Sequence, residues 1–110
     1  MAKPRKTPLP ASILVMGVPF TVEWDVALSD GDYGESNVFE RRIRIGTSCD
    51  NAAKRATTLL HELIHAALGT AGHDQLLGDN AEEAIVVCLE HALMPLIKTI
   101  LDVSNSNDPS

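Results

Sequence analysis

The chain has 110 residues, of which 45% are hydrophobic and only 4% aromatic, and it carries a formal net charge of −6. That length makes one domain at most, burying roughly 65% of the surface its unfolded form exposes. Its core must be built from Leu, Ile, Val and Ala, with little material for an aromatic ligand cage. Lys3, Arg5 and Lys6 fall in the first ten residues, so the remainder stands near −9, a charge that repels phosphate backbones and argues against a nucleic-acid partner.

Cys49 and Cys88 show neither C-x-x-C spacing nor a disulfide framework, which fits a reducing, cytoplasmic setting. The apolar run ILVMG is too short for a signal segment and is soon followed by Glu23 and Asp25, so neither secretion nor membrane spanning is expected.

In chain order, the proline- and cation-rich MAKPRKTPLP and the polar SNSNDPS read as disordered tails, 1–11 and 102–110, around a single domain over 12–101. SILVM and FTVEWDV, separated by Gly17-Val18-Pro19, predict a hairpin with Phe20, Val22 and Trp24 on one face. ALSDGDYGESN reads as a loop. In VFERRIRIG, Ile43 and Ile45 alternate with Arg42 and Arg44, the pattern of a half-buried strand whose charged face suits a sheet edge. From about Asp50 the period becomes helical, through Ala53, Ala56, Leu60, Leu63 and Ala67, and Gly69 supplies a stop, giving a helix over 50–68. After the loop GTAGHDQLLGDN, a second helix starts near Asn80 with Ile85, Val86, Leu89, Leu93, Leu96, Ile97 and Ile100 as its stripe, bent or broken at Pro95. The expected fold class is α+β, a three-stranded sheet packed on two helices.

The first helix contains HELIH, residues 61–65. Side chains four apart sit one turn above each other, so His61 and His65 can direct one imidazole nitrogen each at a shared cation. Zinc suits imidazole and carboxylate donors, and three protein ligands leave a fourth position for water. The ion lowers the pKa of that water to about 7. Glu62, about 100° round the helix from His61, can take the proton and pass it to a departing amine.

TLLHELIHA resembles the zincin peptidases, and the order of hairpin, loop, strand, HExxH helix and second helix is similar to small HExxH proteins of bacteriophages and prophages. The resemblance implies a minimal zincin-like domain acting in the cytoplasm of a bacterial host. Its substrate would be a peptide or protein, bound as an extended strand along the strand before the HExxH helix. Leu68 and Ala71 stand where the metzincin branch has Gly and His, so that branch fails. The gluzincin branch takes a Glu from a later helix, and Glu82 and Glu83 compete for that role. Glu82 shares a helix face with Ile85, Val86, Leu89 and Leu93, whereas Glu83 shares one with Val87 and Glu90 and forms a capping-box pair with Asn80. A carboxylate on an apolar face is costly unless it meets a cation, which favours Glu82 over Glu83 and over His73. EEAIVVCLEHALMP also resembles the ligand helix of immunity-repressor peptidases of mobile elements, with Glu82 on the first Glu of that pattern, but Ala84 and Val86 replace its second Glu and its Asn.

Asp79 and Glu90 are candidates to accept from the outer nitrogens of the histidines. His73 or Tyr33 could stabilise an oxyanion. His91 falls half a turn out of phase with Glu82, and Arg42 and Arg44 could meet acidic substrate side chains or simply guard an edge. The expected function is therefore that of a zinc-dependent metallopeptidase with His61, His65 and Glu82 as ligands and Glu62 as general base. The alternative is a zinc-binding protein-interaction domain with a structural or vestigial site and no proteolysis. Oligomeric state is open.

Overall fold

Val15 pairs directly with Val18, and the two residues between them, Met16 and Gly17, both have positive φ, 50° and 79°. This is the tight turn whose twist matches that of two antiparallel strands. It joins β1 (Ser12–Val15) to β2 (Val18–Val26), so the expected hairpin forms with Val18 and Pro19 already inside the second strand. The computed structural model describes residues 9–72 and 78–104. The expected tails lie mostly outside that range. Within it, the carbonyl of Pro10 accepts from the Trp24 indole at 2.7 Å and that of Ala11 accepts from Val22 N.

The sheet has four strands rather than three, in the order β1-β2-β4-β3. The strand missed in the sequence is β3 (Gly34–Asn37), reached through a single 3-10 turn at Ser29–Gly31. Its residues, GESN, contain no apolar side chain and so carry no alternation to recognise. It is held by β4 (Arg42–Gly46), to which it pairs antiparallel with Gly34 opposite Ile45 and Ser36 opposite Ile43. Asn37 accepts from Glu40 N at 3.0 Å and Arg41 N donates to Val38 O, closing the short turn between them.

β4 is correspondingly interior, parallel to β2 on one side and antiparallel to β3 on the other, which overturns the expectation of an edge strand. Its charges mark a solvated face instead. Ile43 and Ile45 are fully buried, while Arg42 pairs with Glu23 and Glu40, and Arg44 with Glu23 and Glu35. Both arginines are thus engaged on the face opposite the helices, and β4, paired on both sides, has no free edge at which the expected extended peptide could pair.

α1 (Ala52–Thr70) lies on the apolar face. It is capped by Asn51, whose side chain accepts from Lys54 N at 2.8 Å. Val15, Phe20, Val22, Ile43, Ile45, Cys49 and Ala66 form the core, with Leu59, Leu63 and Ala67 against it. Gly69 does not stop the helix. A Cβ there would stand 2.5 Å from Val38 Cγ2, so its role is close approach of the β3–β4 turn.

α2 (Asp79–Ser104) continues through Pro95 as one element of 26 residues, so the proline does not break it. Pro95 sits on an exposed side of the helix, where a displaced carbonyl reaches water. No helix among the described residues is long and apolar enough to cross a membrane.

Candidate metal centre

His61 and His65 sit one turn apart on α1 with ring centroids 5.0 Å from each other. Both Nε2 atoms face the same carboxylate on α2: Glu83 Oε1 lies 3.1 Å from His61 Nε2, and Glu83 Oε2 lies 2.9 Å from His65 Nε2. A tetrahedral zinc ion with bonds of about 2.0–2.1 Å holds neighbouring donor atoms roughly 3.3 Å apart. One donor from each of the three residues lies within 4.8 Å of the others, close enough for the three to share a metal ion.

Glu82, favoured on the sequence, also points into the centre but at a different atom. Its Oε2 is 3.3 Å from His65 Nδ1. Glu90 occupies the equivalent place beside His61, with Oε1 at 3.6 Å from Nδ1. Each ring therefore presents Nε2 to Glu83 and Nδ1 to a second acid, and carboxylates at Nδ1 are what fix the orientation of a metal-binding imidazole. Three acids of one helix surround two imidazoles of the other.

The geometry of α2 explains why Glu83 as well as Glu82 reaches the histidines. Residues 83, 86 and 90 fall on one side of a helix, and Val86 is the fully buried one. Of the four residues that made the case for Glu82, Val86 is buried and Leu93 partly buried, whereas Ile85 and Leu89 are both 37% exposed. Helix α2 already includes Asp79, so Asn80 lies inside its first turn, and the Glu83 carboxylate goes to the histidines rather than closing a capping box. The spacing Glu83, Val86, Glu90 was the sequence signal for this face.

Glu62 projects from α1 toward the sheet and is buried at 7% exposure. It lies under β3, where a Cβ on Gly34 would come within 2.7 Å of Thr58 Cγ2 and 3.1 Å of Glu62 Cγ. Glycine at this position lets the edge strand approach the helix. Burial raises the Glu62 pKa above the ordinary carboxylate value, an effect opposed by the positive charge available on His61 and His65 and by the Ser36 hydroxyl. Nothing in the sequence pointed to Gly34 or Ser36, because the strand that carries them was read as a loop.

A groove of about 980 Å³ runs over these groups. Gly34, Ser36 and Asn37 of β3 form one wall together with Val38 and Phe39, and Glu82, Glu83 and Glu90 form the other, with His61, Glu62 and His65 at its floor. Tyr33 lines the same groove. The other expected oxyanion donor, His73, lies outside the described residues. His91 is exposed, as its phase suggested. Cys49 is buried and donates to Thr58 Oγ1 at 3.3 Å, while Cys88 is exposed.

The chain was compared with protein-family models, with curated proteins and with solved structures, and nothing matched.

Proposed function

We propose that this protein is a zinc-dependent metallopeptidase, with His61, His65 and Glu83 as metal ligands and Glu62 as general base. The observation that carries the reading is the convergence of both imidazole Nε2 atoms on one Glu83 carboxylate beside a buried Glu62 in the same groove. The resemblance of HELIH to the zincins supports it, and extends it to a peptide or protein substrate inside a bacterial cell.

When bound, zinc supplies a Lewis acid that polarises a carbonyl and makes water acidic at neutral pH. The chain's own residues do the remaining work. Glu62, with its pKa raised by burial, is suited both to accept a proton from water and to release it to the leaving nitrogen. Glu82 and Glu90 hold the two rings with Nε2 toward the centre. β3 is the last strand of its sheet and faces the groove, so its outer main-chain groups can hold a substrate backbone in extended form. Asn37, Val38 and Phe39 continue that wall.

The test combines zinc stoichiometry with cleavage of an unbiased peptide library by the wild type and by Glu62→Gln. We expect one zinc per chain in both proteins, with hydrolysis by the wild type alone. Zinc retained by a wild type that cleaves no peptide would turn the reading toward a structural metal centre in a protein-interaction domain. Unchanged cleavage by Glu62→Gln would remove Glu62 from the chemistry.

A further inference from the structure

α2 carries two apolar stripes, and the fold uses one. Val86, Leu93 and Ile97 turn inward with Glu82 and Glu90, while Ile85, Leu89, Ala92, Leu96, Thr99 and Val103 are all exposed. In this second stripe Ile85 and Leu89 are each 37% exposed, Leu96 56% and Val103 70%. Successive members are separated by 4, 3, 4, 3 and 4 residues, the spacing of a helix that packs along its length against another helix. No member is charged, and the small Ala92 and Thr99 leave room for a partner's larger side chains.

We infer that this outer stripe of α2 is a pairing surface for a second copy of the same chain. A repeat of alternating fours and threes is met knob for hole by another helix with the same repeat, and a two-fold axis supplies one without any further sequence. The charge of α2 argues against an anionic membrane as the occupant. It holds Asp79, Glu82, Glu83, Glu90 and Asp102 against Lys98 as its one Lys or Arg, whereas helices that lie on anionic lipid carry flanking cations. The stripe spans 18 helical steps, roughly 27 Å. Two such surfaces bury an area near the lower bound of specific interfaces, about 1,000 Å² in total, so the dimer is weak and depends on concentration. This inference does not rest on the metal reading.

Sedimentation velocity of the full chain over a concentration series tests it, comparing wild type, the double variant Leu89→Glu with Leu96→Glu, and the single variant Val103→Asp. The wild type should move from the monomer mass of 11.8 kDa toward twice that mass as concentration rises. Both variants should stay at the monomer mass, with unchanged helical circular dichroism. Val103→Asp lies at the most exposed member of the stripe, so it provides a readout even if the double variant loses its helix. A wild type fixed at 11.8 kDa throughout the series, or a dimer that survives both variants, would overturn the proposal. So would wild-type binding to anionic vesicles that the variants abolish.

Discussion

The two helices that form the centre are held in different ways. α1 is wedged between the sheet and α2, with Thr58, Glu62, Ile64 and Ala66 buried along it. α2 has Val86 as its one buried residue among those described, and its packing is against α1. The imidazoles therefore stand on a rigid wall, and the carboxylates on a wall secured from one side. Disturbing the core under α1 should act on the whole fold, whereas disturbing α2 should act first on the metal.

The sharpest break of that comparison comes from the ligands themselves. Glu83→Ala and His65→Ala should each abolish zinc binding in equilibrium dialysis, while Glu82→Ala should retain zinc with reduced affinity. The opposite result for the two glutamates would restore the assignment favoured by the sequence.

Packing variants come next. Ile45→Ala, in the fully buried centre of the sheet, should cost about 2–5 kcal/mol of global stability in urea unfolding. Val86→Ala should cost less, about 1–2 kcal/mol, yet weaken zinc binding more than Ile45→Ala does. Equal effects of the two on the metal would show that α2 is no looser than α1.

A smaller effect is expected at the acids beside Nδ1. Glu90→Gln and Glu82→Gln should each weaken zinc binding about 10–100-fold, in the range seen when such partners are removed, without loss of fold. Unchanged affinity in both would mean the rings are held by packing alone.

The smallest effect is the pH dependence of the metal-free protein. Because burial raises the Glu62 pKa, the folded state holds that proton more tightly than the unfolded chain. The contribution to stability is complete below the ordinary carboxylate pKa and is lost as pH rises through the folded value. In chelator-treated protein, Glu62→Gln should therefore be more stable than wild type at neutral pH, and the gap should narrow on acidification. A gap that widens in acid would mean Glu62 is better solvated than its burial indicates.

How much was legible in the sequence follows the same division. His61, Glu62 and His65 were readable because a single helical turn relates them, and the β1–β2 hairpin because Phe20 and Val22 alternate cleanly. β3 was not, since Gly34, Glu35, Ser36 and Asn37 are ordered by what β4 offers them rather than by their own composition. Arg42 and Arg44 suggested an edge, when one-sided burial of Ile43 and Ile45 accounts for them equally well. The choice between Glu82 and Glu83 was not legible for a related reason. With apolar residues on two adjoining faces of α2, periodicity alone cannot say which face meets α1, and Ile85 and Leu89 turned out to belong to the other one.

The central claim is a centre built from two imidazole nitrogens of α1 and one carboxylate of α2. The zinc-edge X-ray absorption spectrum of the loaded, dialysed protein addresses it most directly. The account predicts a first shell of nitrogen and oxygen only, at about 2.0–2.1 Å, with the outer-ring scattering of two imidazoles, and loss of the bound ion in Glu83→Ala. A sulfur distance near 2.3 Å, which would bring in Cys49 or Cys88, or no zinc surviving dialysis, would contradict it.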